Sequence, residues 1–148
     1  MSLSRRLLLA VIGLAIVYSV TLWTLTTTVQ KAGYPTAAEV VIEFDRMTFE
    51  ARDPRGAIMT YVAEGYVDHD PETGGTRDGL LKLLEPGGRW AVADLQRQKL
   101  HTFVDGDVVA IHQRITKAGE SPYVVVDLFR VDKGRIVEHW GLAQKEAA

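Results

Sequence analysis

The chain contains no cysteine. A disulfide framework, a thiolate nucleophile and a cysteine-based zinc site are therefore excluded, while either side of a membrane stays open. Basic charge is not in excess. Of 17 Lys and Arg, Arg5 and Arg6 stand at the N-terminus, which leaves 15 against 19 Asp and Glu in the remainder. No stripe of positive charge is left to neutralise phosphates, so a nucleic-acid partner has no electrostatic support. Internal repeats and low-complexity tracts are missing too, which sets solenoids and linker-like chains aside. What is present is the composition of one globular domain: 148 residues, 47% hydrophobic and 24% charged. That length is enough to bury a real core.

One further absence is local. From Leu7 to Val29 there is no charged residue, and Arg5-Arg6 precede the run. About 20 such residues span a bilayer's hydrocarbon core as a helix. Residues 1–30 are thus read as a transmembrane signal-anchor, with Trp23 toward its outer end. A cleaved signal peptide is the alternative. Its apolar core is usually shorter, about 7–15 residues, and ends at a small-x-small site that does not follow promptly here. Ser4-Arg5-Arg6 with Leu8-Leu9 also partly matches a twin-arginine export signal. The positive-inside rule leaves the arginines in the cytoplasm and the domain on the extracytoplasmic side, membrane-anchored, or secreted or periplasmic after cleavage.

Residues 31–35 read as a linker and 36–148 as the folded domain. Thr36 and Glu39 make a capping box, and Ala37, Val40, Val41, Phe44, Met47 and Ala51 follow at helical spacing. Asp53-Pro54 opens a second, short helix through Ala57, Ile58, Tyr61 and Val62. The segment Tyr66 to Pro71 reads as extended chain ending in a loop. Thr76 caps a third helix with Leu80, Leu81, Leu83 and Leu84, stopped by Pro86-Gly87-Gly88. From Trp90 the period changes to two. Strands are expected at roughly 90–104, 108–117, 122–131 and 135–142, the first bending or breaking midway. Helices first and an antiparallel meander last predict an α+β domain, three helices against one face of a curved sheet.

Register then groups polar residues. A hairpin centred between Gly119 and Glu120 sets His112 opposite Asp127, with Cβ atoms about 5 Å apart. A three-residue turn with Gly134 in the left-handed position sets His139 opposite Asp127 on its other side. A two-residue turn at Asp105-Gly106 adds His101 to that face. A carboxylate flanked by imidazoles is an acid/base unit, since each group shifts the other's proton affinity. The opposing bland reading is equally concrete. Val109, Ile111, Ile115, Val124, Val126, Leu128, Ile136 and Trp140 form the more apolar face, which would pack on the helices and leave the His/Asp face outside. Three His and one Asp lack the short, defined spacing of known metal sites, so no metal is assigned. His69, between Asp68 and Asp70, sits on another element and is either a solvated loop residue or a polar group at a cavity mouth.

The segments YVDHDP, then Gly79, DGDVVAIH and VVDLFRVDKGRIVEHWGLAQ resemble the SnoaL-like polyketide-cyclase family of the nuclear-transport-factor-2-like superfamily, which has a cystatin-like fold. His69 matches the His of that family's Q-H-N-P loop. Asp127, Phe129 and Arg130 match D-x-F-R, and Glu138, His139 and Trp140 match E-H-W. Gly141 departs from the pattern, which usually has Asp there. The resemblance implies a conical barrel around an apolar cavity and a homodimer through the sheet. It also implies cofactor-free proton transfer on small carbonyl compounds, of cyclase, isomerase or lyase type. On that reading Asp127 is the general acid or base, His112 and His139 are its partners, and His69 lies at the mouth. Tyr61, Tyr66, Trp90, His101, Phe129 and Trp140 are expected to line the pocket. The alternatives are a non-catalytic, membrane-tethered binder of a small apolar molecule and a plain dimerisation module.

Overall fold

The computed structural model describes residues 33–146. The predicted transmembrane segment lies outside them. Among the described residues no helix is long and apolar enough to cross a membrane. Pro35–Ala148 group as one compact unit.

Helix α1 (Ala37–Asp45) starts at the expected capping box: Thr36 Oγ1 accepts from the Glu39 amide, and the Glu39 carboxylate accepts from the Thr36 amide. Its apolar stripe buries Val40, Val41 and Phe44. The helix then widens into a π turn, Arg46–Glu50, before Asp53 caps α2 (Pro54–Tyr61). Thr76 caps α3 (Arg77–Leu84), which buries Leu80, Leu81 and Leu84. These stripes meet Val109, Ile111, Phe129, Val131 and Ile136 from the sheet in one core. Each such side chain contributes about 1.5–3 kcal/mol on burial, enough to fix which face of every strand points inward.

The sheet is five-stranded and curved, in the order β1-β5-β4-β3-β2, with β1 (Val62–Asp68), β2 (Leu95–Asp105), β3 (Val108–Lys117), β4 (Tyr123–Asp132) and β5 (Arg135–Lys145). Two sequence expectations change here. The stretch before Pro71 is a full strand, β1, and it runs parallel to β5 at the sheet edge, so the sheet is mixed rather than wholly antiparallel. The second helix ends at Tyr61, one residue before the expected Val62, which begins β1.

The largest correction concerns register between β3 and β4. Asp127 pairs with Ile111, not His112; His112 pairs with Val126. The connection has an odd number of residues, centred on Gly119 itself at φ +81° rather than between Gly119 and Glu120. A one-residue slip swaps the faces of one strand against the other. It moves Asp127 onto the core face with Ile111 and Gln113, and His112 to the outside. For the same reason the expected apolar face is not a single face. Val109, Ile111, Ile115 and Ile136 are buried, but Val124, Val126, Leu128 and Trp140 are half-buried on the outer side.

The β4–β5 hairpin also turns differently. Lys133 (φ 48°) and Gly134 (φ 74°) form a two-residue turn, and a bulge follows between Arg130 and Val131. His139 therefore pairs with Phe129, and Gly141 with Asp127. The offset is two residues, so His139 keeps the face it shares with Asp127. In β2, Asp105 pairs with Val108 and a bulge lies between Lys99 and His101. His101 pairs with His112 in the register set by the Gly106-Asp107 turn, and the bulge beyond that pair sets Lys99 against Gln113 and Arg97 against Ile115.

Candidate active site

The inner face of the sheet carries an unbroken series of polar contacts through the core. It begins at Tyr66, whose hydroxyl donates to Asp68 Oδ2 at 2.6 Å. Asp68 Oδ1 accepts from the Asp70 amide at 3.0 Å and lies 3.0 Å from His139 Nδ1. The other imidazole nitrogen, Nε2, is 3.3 Å from Asp127 Oδ1. Asp127 Oδ2 accepts from Gln113 Nε2 at 2.5 Å, and Gln113 Oε1 accepts from Arg97 Nε at 2.6 Å. Arg97 continues to Asp45 Oδ1 at 2.5 Å, and Lys99 Nζ lies 2.6 Å from Asp45 Oδ2.

Strand geometry builds this series. Tyr66 and Asp68 alternate inward on β1, Asp127 and Phe129 on β4, and His139 and Gly141 on β5. The parallel β1–β5 pairing puts Asp68 beside His139. Asp45 comes from the end of α1, where only 3% of it is exposed. Arg97 packs its guanidinium 3.6 Å from the centroid of Phe49, a residue of the π turn. Such π turns recur at functional sites because they turn a few side chains off the helical face.

The electrostatics of the imidazole are set by two carboxylates. Burial alone would lower the proton affinity of His139, but hydrogen bonds to Asp127 and Asp68, and their charges, outweigh it and hold its pKa up to about 9. His139 is therefore an imidazolium at neutral pH. Burial pushes the Asp68 carboxyl upward, yet the bonds from His139, Tyr66 and the Asp70 amide leave it below the usual carboxylate range. The Tyr66 phenol is raised, first by burial and then by Asp68, so it stays a neutral donor.

A cavity of about 110 Å³ opens onto this array. Phe44, Phe49, Leu80, Leu84, Trp90 and Phe129 supply most of its apolar wall; Asp45, Asp70, Gln113, Asp127 and His139 supply its polar one. Leu142, 64% exposed, stands at the rim. The volume is smaller than the roughly 300–1,000 Å³ of sites that enclose drug-sized ligands. It admits a fragment of a few heavy atoms, or the reactive end of a larger molecule. Among the described residues no group of three or more His, Asp or Glu is arranged to hold a metal ion.

The residues singled out in the sequence divide across the sheet. Asp127, His139, Phe129 and Trp90 line the cavity. Tyr66 is buried behind it and Tyr61 packs at the core margin, neither on the wall. His69, His101, His112 and Trp140 are on the other side or at the rim of the fold. His69 Nε2 is 2.8 Å from Glu138 Oε1 and its ring stacks on Trp140 at 4.8 Å. Arg130 donates to the same Glu138, whose carboxyl is held low first by His69 and then by Arg130. His101 and His112 face each other Nδ1 to Nδ1 at 3.3 Å on the outer surface. The D-x-F-R and E-H-W motifs thus place alternate residues on opposite faces. Asp127, Phe129 and His139 point in; Arg130, Glu138 and Trp140 point out.

Asp68, Gln113, Asp45 and Arg97 were not singled out by sequence reasoning. Asp68 was legible in principle from its i, i+2 relation to Tyr66, once that stretch is read as a strand. Gln113 was hidden by the one-residue slip in β3. Asp45 and Arg97 are 52 residues apart in the chain, and no local pattern links them.

A profile of the SnoaL-like domain matches residues 41–139. The chain belongs to that family. The matched span runs from α1 to His139, so it includes both Asp68 and Asp127. Solved relatives share the domain's fold. A putative SnoaL-like polyketide cyclase from Jannaschia sp. CCS1 is 17% identical, with a TM-score of 0.59 over 76% of this chain and 88% of that one. A putative polyketide cyclase from Acidithiobacillus ferrooxidans is 18% identical, with a TM-score of 0.54 over 73% and 87%. An NTF2-like protein of unknown function from Mesorhizobium loti is 26% identical, with a TM-score of 0.58 over 73% and 90%. No curated protein matches the sequence.

Proposed function

We propose that this SnoaL-like domain is a cofactor-free acid–base catalyst acting on a small carbonyl compound. The observation that carries the reading is the carboxylate–imidazolium–carboxylate array, Asp68–His139–Asp127, presented to a mainly apolar cavity. Asp127 is the general base. It removes a proton from the carbon next to the carbonyl, and the electron pair moves onto the carbonyl oxygen. His139, already protonated and with its two N–H groups held by Asp68 and Asp127, stabilises the resulting enolate by its charge, as preorganised charge in a dry site does. Return of the proton from Asp127 to a different carbon of a conjugated enolate completes an isomerisation. Attack of the enolate carbon on a second carbonyl carbon forms the ring bond, and Asp127 gives its proton to the new alkoxide to complete a cyclisation. Gln113 holds Asp127 in place, and Asp68 with Tyr66 holds His139. His112, His101 and His69 have no part in this chemistry, because they lie off the cavity.

The test is solvent deuterium incorporation. Small cyclic ketones and 1,3-diketones are incubated with the protein in D2O and followed by NMR. Faster α-hydrogen exchange than with heat-denatured protein is the expected result. A panel with no accelerated member overturns the catalytic reading and leaves the small-molecule binder. Mass spectrometry of molecules that copurify with the domain narrows the panel.

The same reading includes a homodimer formed through the outer face of the sheet, with residues 1–30 as the membrane tether. Support for the dimer comes from the half-buried Val124, Val126 and Leu128, which alternate with the core-facing residues of β4. Sedimentation velocity of the full chain in detergent is expected to give a dimer. A Val126→Glu exchange should shift it to monomer without loss of the thermal transition; an unchanged mass overturns this interface.

A further inference from the structure

Gly141 lies in the middle of β5, opposite Asp127. Its backbone is ordinary extended strand with no positive φ, so no turn or bulge requires glycine there. Sterics do not require it either. A Cβ built on Gly141 would meet His139 Cε1 at 3.4 Å, Asp127 Oδ1 at 3.7 Å and Asp70 Oδ2 at 3.8 Å, all ordinary contacts. Glycine inside a strand weakens it, because the chain loses more freedom on folding and has no side chain to pack. A glycine that neither φ nor packing explains marks a place where a ligand approaches the backbone closely.

The space it leaves is chemically specific. It forms part of the cavity wall, and two carboxylates and the imidazolium edge converge on it. Asp70 Oδ1 is occupied, accepting from the Glu72 amide at 2.9 Å, while Oδ2 faces the space with no hydrogen-bond partner among the described residues. The geometry points to a ligand hydroxyl seated against Gly141 and donating to Asp70 Oδ2, so that the substrate is a hydroxylated carbonyl compound. Resting on the catalytic reading above, this names its substrate class: a ketone whose hydroxyl sits at Asp70 while the carbon acid lies at Asp127. A methyl group in the same place would leave the Asp70 oxygen dry and unpaired.

Isosteric probe pairs separate hydroxyl recognition from size: hydroxyacetone against butanone, and 2-hydroxycyclohexanone against 2-methylcyclohexanone. Binding to the full chain is followed by protein-observed NMR. A hydrogen bond to a charged acceptor predicts that the hydroxylated member binds about 10- to 100-fold more tightly. Gly141→Ala fills the space and should abolish that preference while raising the Tm, since alanine suits a strand interior better than glycine. Asp70→Asn should reduce the preference without the rise in Tm. Equal affinity within each pair for the wild type, a preference that survives Gly141→Ala, or no binding of either hydroxylated probe up to its solubility limit each overturns the assignment. Binding needs no turnover, so a hydroxyl preference without deuterium exchange would sink the catalytic reading alone.

Discussion

Asp127→Asn is expected to lower the α-hydrogen exchange rate roughly 100- to 10,000-fold, the usual contribution of a positioned general base. The substitution keeps the size of the side chain, and the amide oxygen can still accept from one of the two donors, Gln113 Nε2 or His139 Nε2, while the NH2 group faces the other. It removes the basic oxygen and half of the counter-charge of the imidazolium. Binding of ligand should change much less than turnover, because the cavity walls stay in place. Comparison of exchange rate with probe affinity, both on the same preparation, checks it. Equal rates for the variant and the wild type would remove Asp127 from the mechanism.

The largest stability effect is expected at His139. Its side chain is the positive partner of Asp68, whose side chain is wholly buried. His139→Leu leaves that carboxylate with the Tyr66 hydroxyl and the Asp70 amide but without a cation. Removing one partner of a buried pair usually costs about 3–5 kcal/mol, since the remaining charge is neither hydrated nor paired. Urea unfolding near pH 6 should show the loss, and adding Asp68→Asn to His139→Leu should recover a good part of it. A loss below about 1 kcal/mol would mean that water already reaches Asp68.

The same residue sets a pH dependence of stability. His139 has its proton affinity raised on folding, from 6.5 to about 9. Its contribution is therefore complete below pH 6.5 and disappears as the pH rises through about 9, with a total on the order of 3 kcal/mol. Asp68 acts in the opposite direction: its lowered carboxyl stabilises the fold above the ordinary carboxylate range, and that is lost as the pH falls through its folded value. Stability should be highest between the two limits, in weakly acidic solution. His139→Leu should abolish the alkaline loss and also weaken the acid-side loss, because His139 is the foremost of the contacts that hold the Asp68 carboxyl low against burial.

Much of the domain could be read directly from the chain. The capping box at Thr36, the Asp53-Pro54 helix start, the Thr76 cap and the period-two strands after Trp90 are local signals. Each depends on residues within a few positions of one another, so a linear pattern suffices to find them. Asp127 and His139 were legible as partners for a similar reason. An offset of two residues in their hairpin preserves parity, so the prediction of a shared face survived the wrong turn length. The motif of the last hairpin also pointed correctly to the SnoaL-like family.

Only the tertiary structure decided the rest. One residue in the Gly119 turn determines whether His112 or Gln113 stands beside Asp127, and a turn of that length has no pattern that selects between them. The bulge between Lys99 and His101 is equally silent in sequence, although it sets Arg97 against Ile115 and so on the face of Gln113. Asp68 joins His139 through parallel pairing of strands 71 residues apart. That contact is set by how α3 and the core close the sheet, not by local propensity. The chain's own order of residues determined which groups have acid–base chemistry. Packing of the apolar faces determined which of them share a cavity, because burial of one face is worth more than the position of any single polar side chain.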